Sequence, residues 1–195
     1  MSKNTKSNTI RIIAGQWRGR RLPVLKYSGL RPTTDRVRET LFNWLMHDIS
    51  GSKCLDVFAG TGVLGLECLS RGAEFVQFIE SNSLAVNSIE RSSEAFNSNK
   101  TSDSLLINAD AISVLHKTSV LKFDIVFLDP PFNEGLIELS ASLLEENSWL
   151  SDQAIIYVEW DVNRPEIKLP SNWVRFKSDK VGQSAYSLYR REVYE

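Results

Sequence analysis

The chain has 195 residues, 42% of them apolar and 24% charged, with a net charge of −1; this is the make-up of a folded domain and excludes collagen-like, wholly disordered and fibrous coiled-coil classes. Its longest apolar runs, such as Ala154 to Val158, are strand-sized, well short of the roughly 20 residues of a membrane-spanning helix. The polar start MSKNTKSNTI lacks the apolar stretch of a secretory signal, so a soluble, cytoplasmic protein is expected.

The small net charge conceals an asymmetry. Ten of the 23 Lys and Arg fall within residues 1–38, against a single acid, Asp35, so the rest of the chain is acidic. Such a split predicts a polyanion-binding arm on a less basic body, with the arm over residues 1–30 and the main domain over 31–195. The arm also carries Ile10, Ile12, Ile13, Trp17, Leu22, Val24 and Leu25 between its charges. Gly15 to Gly19 reads as a turn between two short strands. This small hairpin would present Arg11, Arg18, Arg20 and Arg21, with Arg31 beyond it, to phosphates. Trp17 either stacks on a base or packs against the body.

After the arm, Val37, Leu41, Trp44, Leu45 and Ile49 recur at the spacing of one helix face, capped by Thr33 or Thr34 and ended by Gly51. Arg36 and Arg38 on this helix either face a cofactor carboxylate or RNA, or are surface charges. Strands and helices then alternate. Strands are expected at Cys54 to Phe58, Phe75 to Ile79, Leu105 to Ile107, Phe123 to Leu128 and Ala154 to Val158. Helices are expected at Val63 to Ser70, after a cap at Asn82 or Ser83, at Ala111 to His116, and at Glu134 to Glu146 with Leu136, Leu139 and Leu143 inward. Nearly all-apolar strands, each followed by a helix, imply a mostly parallel sheet covered on both faces, an α/β Rossmann-like architecture. Asp161 to Asn172 is a loop, and Trp173 to Lys177 with Ala185 to Tyr189 form an antiparallel hairpin at the sheet edge. Cys54 and Cys68 are read as reduced core thiols. With His47 and His116 distant from both, no metal site is expected.

In an open α/β sheet, ligands sit beyond the carboxyl ends of the strands. After the first of these strands the sequence reads LDVFAGTGVLG, in which Gly60, Gly62 and Gly65 satisfy G-x-G-x-x-G and allow close backbone approach to a ligand. Phe58, Ala59 and Thr61 line the same loop. Glu80, followed by Ser81, ends the second strand about 20 residues on, where an acid binds ribose hydroxyls. A nicotinamide-binding fold shows these features too. Asp56, just before the loop, repels a pyrophosphate but suits an ammonium-bearing ligand, and S-adenosylmethionine carries both an ammonium and a sulfonium. Asp110 at the third strand end is placed to accept from an adenine amine, with the Ala111 backbone beside it.

The most specific element is Asp129-Pro130-Pro131-Phe132, directly after an apolar strand. The prolines end the ladder and stiffen the loop. Asp129 and the Pro130 carbonyl then grip the hydrogens of an exocyclic base amine, exposing its lone pair, while Phe132 stacks on the extruded base. With these residues, the chain resembles a class I S-adenosylmethionine-dependent methyltransferase. It is most similar to the RsmD family of bacterial 16S rRNA (guanine-N2)-methyltransferases. RIIAGQWRGRRLPV, RPTTDRVRETLFNWL, LDVFAGTGVLGLECLSRGA, FIES and DIVFLDPPF carry the resemblance almost end to end. One departure is Asn108-Ala109-Asp110, next to an unusually polar stretch at 97–104.

The resemblance implies a seven-stranded sheet with one antiparallel strand. It also implies methylation of guanine 966 of 16S rRNA in an assembled or partly assembled small subunit. A monomer is expected, with S-adenosylhomocysteine as product and no metal. The alternatives are an adenine-N6 methyltransferase acting on DNA or RNA, a nicotinamide-dependent oxidoreductase, and a non-catalytic rRNA-binding assembly factor.

Overall fold

A computed structural model describes residues 9–24, 34–97, 103–131, 135–164 and 167–193. Arg31, Thr33, Phe132 and Glu134, together with Leu25 and the basic residues before Thr9, lie outside the described residues. The arm forms the hairpin read from its glycines. Strands β1 (Thr9–Arg11) and β2 (Arg21–Pro23) pair antiparallel, Ile10 opposite Leu22. Gly15 and Gly19 take positive φ in the connecting turn, which the Gly19 amide closes by donating to the Ile12 carbonyl at 2.9 Å.

Helix α1 (Asp35–Trp44) starts at Thr34, whose hydroxyl accepts from the Val37 amide, satisfying one of the free amides of a first turn. The chain then alternates through β3 (Lys53–Asp56), α2 (Val63–Ser70), β4 (Phe75–Glu80), α3 (Ser83–Phe96), β5 (Asp103–Asn108), α4 (Ala111–Leu115), β6 (Phe123–Leu128), α5 (Leu136–Glu146), β7 (Leu150–Asp161), β8 (Trp173–Val181) and β9 (Ser184–Arg191). The seven strands β3 to β9 form one sheet in the order β5-β4-β3-β6-β7-β9-β8. β9 runs antiparallel to both of its neighbours and the other adjacent pairs are parallel. This is the mostly parallel, seven-stranded Rossmann-like sheet that was expected. Strand order reverses between β3 and β6, which opens the crevice where such sheets bind ligands.

Alternation along each strand divides the core. Cys54, Val76, Phe78, Ile125, Phe127, Tyr157 and Leu188 pack under the hairpin and α1 to α3. Leu55, Ile79, Val126, Leu128, Ile156 and Val158 pack under α4 and α5. Both cysteines are buried free thiols. One inward assignment is corrected. Leu139 is 43% exposed, and α5 buries Ile137, Ser140, Ala141, Leu143 and Leu144 instead. The helix begins at Leu136 after the Gly135 cap, and its buried stripe, through Ile137, Ala141 and Leu144, lies one residue on from the Leu136 and Leu139 face that was expected.

Candidate active site at the strand carboxyl ends

The glycine loop lies where β3 ends and α2 begins. Gly62 stands in the left-handed region at the N-cap of α2, and a Cβ there would meet the Ile89 side chain at 2.8 Å. At Gly65 a Cβ would fall 2.2 Å from the Phe78 ring, so helix and strand pack closely only because this position lacks a side chain. The loop is tied to the neighbouring strands. The Val57 amide donates to the Phe127 carbonyl and the Ala59 amide to the Ile79 carbonyl. The Phe58 and Thr61 side chains are half-buried beside it.

Two acids hold this loop. Glu80 accepts from the Gly60 amide through Oε2 and from the Asn82 amide through Oε1, both at 2.7 Å. Asp56, at the end of β3, accepts from the Gly65 amide at 3.2 Å. Burial pushes the Asp56 carboxyl up to about 7; the Gly65 hydrogen bond opposes this and the charge of Glu80 adds to it. Among the described residues no Lys or Arg pairs with Asp56. Asp56 is therefore a buried acid without a paired cation among the described residues.

Ser81 is exposed beside Glu80. Asn108, which the sequence reading assigned no role, donates to the carbonyls of Glu80 and Ser81 at 3.0 and 3.1 Å and fixes that strand end. Asp110 is exposed and caps α4, accepting from the Ser113 amide and hydroxyl through Oδ2. Ala111 is buried behind it. Asp129 and Pro130 follow β6, the strand paired with β3, with Pro130 buried and Pro131 exposed. Glu159 and Tyr157 on β7 flank this corner. They were missed because Ala154 to Val158 reads as plain core, and a Tyr and a Glu two residues apart give no motif.

The hairpin is bolted to α2. Glu67, fully buried, accepts from the amides of Ile13 and Ala14 at 2.7 and 2.9 Å and from Arg71 Nε at 2.8 Å. Ser70 Oγ accepts from the Trp17 amide and donates to the Ala14 carbonyl. Trp17 itself is 4% exposed and packs on Phe96. The base-stacking role is therefore corrected to the alternative of packing against the body, since neither ring face is open. Arg38 is likewise corrected. It is fully buried, donating to the Arg11 carbonyl at 3.0 Å and pairing with Asp35 at 2.7 Å, so it joins hairpin to helix rather than meeting RNA or cofactor. Arg11, Arg18, Arg20, Arg21 and Arg36 are exposed. Arg20 also lies over Phe96 and donates to the Ala95 carbonyl. Among the described residues, no group of three or more His, Cys, Asp or Glu is arranged to hold a metal ion.

Comparison with known proteins matches this arrangement to one lineage. The family model described as conserved hypothetical protein 95 covers residues 10–190. Ribosomal RNA small subunit methyltransferase D of Escherichia coli K12 is 47% identical over 187 residues, spanning 96% of this chain and 92% of that protein. The Haemophilus influenzae protein of the same name is 47% identical, spanning 93% of each. A solved Escherichia coli structure, assigned as a methyltransferase, superposes with a TM-score of 0.86 at 45% identity, over 95% of this chain and 99% of that one. The chain therefore belongs to the conserved hypothetical protein 95 family, the RsmD family of class I methyltransferases.

Proposed function

We propose that this chain transfers the methyl group of S-adenosylmethionine to the exocyclic N2 amine of one guanine in 16S rRNA, guanine 966 by family resemblance. The observation that carries the reading is the placement of the Asp129-Pro130-Pro131 corner. It follows β6 and the Gly60-Gly62-Gly65 loop follows β3, the two paired strands between which strand order reverses.

The residues fit the cofactor. Asp56 is a buried acid that pairs with no Lys or Arg among the described residues, which suits an ammonium group. Gly60, Gly62 and Gly65 admit the backbone close to a ligand, with Phe58, Ala59 and Thr61 lining it. Glu80 spends one hydrogen bond per oxygen on the loop, which leaves acceptor positions for ribose hydroxyls. Ser81, Asp110 and Ala111 stand on the adenine side. When bound, S-adenosylmethionine supplies a methyl group already activated by its positive sulfur.

Asp129 and the Pro130 carbonyl accept the hydrogens of the guanine amine and turn its lone pair toward that methyl group. Pro131 stiffens the corner and Phe132 stacks on the base. The amine, once methylated with departure of S-adenosylhomocysteine, loses its proton to Asp129 or water, so positioning is the protein's main contribution. Residues 1–30 act as the RNA-binding arm of a methyltransferase domain over 31–195. Its exposed Arg11, Arg18, Arg20 and Arg21, with Arg31 and Arg36, meet phosphates. The substrate is rRNA in an assembled or partly assembled small subunit, met by a monomer in the cytoplasm; no helix among the described residues is long and apolar enough to cross a membrane.

The test is transfer from labelled cofactor to small subunits and to naked rRNA, with identification of the methylated nucleoside. N2-methylguanosine is expected, and N6-methyladenosine would overturn the reading. Asp129→Ala should lower transfer by about a hundredfold or more while protection against unfolding by the cofactor persists. Undiminished transfer would remove Asp129 from the mechanism.

A further inference from the structure

β6 and β7 run in parallel with Phe127 opposite Tyr157 and Leu128 opposite Val158. Asp129 and Glu159 are the next residues along their chains after the last registered pair, and the charges of both act on the Tyr157 hydroxyl. Glu159 is 6% exposed, and among the described residues no Lys or Arg pairs with it. Among the described residues its donor is Tyr157, whose hydroxyl reaches Oε2 at 2.7 Å. Tyr157 is fully buried and wedged between Phe127 and Tyr186, with ring centroids 6.1 and 6.3 Å away. Burial and the charges of Glu159 and Asp129 keep its hydroxyl protonated, so it is a fixed donor.

A buried carboxylate without a cation destabilises the fold unless donors satisfy it, and one tyrosine uses only part of its acceptor capacity. Guanine is the purine that presents two neighbouring kinds of donor on one edge, the ring N1–H and the 2-amine. Adenine presents an acceptor at its N1. With Asp129 and the Pro130 carbonyl on the amine, the ring N1–H falls to the acceptor on the adjoining strand.

We propose that Glu159, oriented by Tyr157, selects guanine by accepting its N1–H and repels a base whose N1 is an acceptor. This rests on the N2-guanine reading above, and the two fail differently. The probe is a small subunit reconstituted with guanine or 2-aminopurine at the target. 2-Aminopurine keeps the 2-amine but has an acceptor at N1.

The wild-type protein should prefer guanine by about tenfold to a hundredfold. Equal transfer to both bases would overturn the role of Glu159 whatever any variant does. Glu159→Gln offers an amide donor to the acceptor N1, so it should shift the ratio toward 2-aminopurine by a similar factor. Tyr157→Phe should lower kcat for guanine and weaken the preference without inverting it. Cofactor protection against thermal unfolding should match the wild type in both variants. An unchanged guanine to 2-aminopurine ratio in Glu159→Gln would also overturn the proposal. Absence of N2-methylguanosine in the wild-type arm would overturn the N2-guanine reading, and this inference with it.

Discussion

Asp56 combines the two demands made on a pocket acid. Without a ligand its carboxyl titrates near 7, chiefly because it is buried, whereas an ammonium group beside it favours the ionised form. With the cofactor ammonium placed against Asp56 as proposed, cofactor binding must therefore expel the proton below neutrality. Affinity for S-adenosylmethionine should weaken as pH falls from 8 to 6, approaching a tenfold loss per pH unit below 7, and Asp56→Asn should be weaker throughout but flat with pH. Calorimetric titration across that range checks both. The stability of the free protein runs in the opposite sense. A carboxyl raised on folding favours the fold when protonated, so this contribution is full below about 4 and is lost as pH rises through about 7. Gly65 makes a simpler demand, for space. A Cβ at 2.2 Å from the Phe78 ring forces helix or strand to shift. Gly65→Ala should cost about 1–3 kcal/mol in denaturant unfolding and weaken cofactor binding as the loop moves.

Helix α2 serves two masters with its eight residues. Its first turn carries the glycine loop; its last turns hold the hairpin through Glu67 and Ser70. Its length, about 12 Å at 1.5 Å per residue, makes it a rigid link between arm and pocket. Glu67→Gln swaps one acceptor for an amide donor facing backbone amides, and it leaves Arg71 without its charge partner. Loss of about 2–4 kcal/mol is expected, along with faster hydrogen exchange at Ile13 and Ala14. Exchange unchanged at those two amides would mean that the hairpin is held by its apolar residues alone. Trp17→Ala should destabilise by about 3–5 kcal/mol as a core truncation; a selective loss of RNA binding with stability intact would contradict its burial.

Over the whole molecule, the parts legible in the sequence were those with a local signature. Short apolar runs and helical patterning located the alternating elements, glycine spacing located the loop, and paired prolines marked the β6 corner. The buried fate of Arg38 and Trp17 was illegible because it depends on the hairpin folding back on α1 and α2 across up to about fifty residues of chain. The Tyr157 and Glu159 pair was illegible because its neighbours come from β6 by register rather than by sequence.

The completed fold also segregates charge. Asp110, Glu80, Asp56, Asp129 and Glu159 line successive strand ends in the order β5-β4-β3-β6-β7, and an acid-rimmed crevice repels a polyanion. On the proposed function, the hairpin arginines offset this repulsion by gripping the backbone away from the pocket, so only an everted base need enter the acidic zone. Arg11 and Arg18 are exposed and hold nothing of the core with their charges. Replacing both by Ala should therefore raise KM for small subunits and lower the slope of log affinity against log salt by up to about 2, with kcat and cofactor affinity unchanged. A fall in kcat at saturating subunits would show that these arginines orient the base rather than hold the backbone, and the separation of grip from chemistry would not stand.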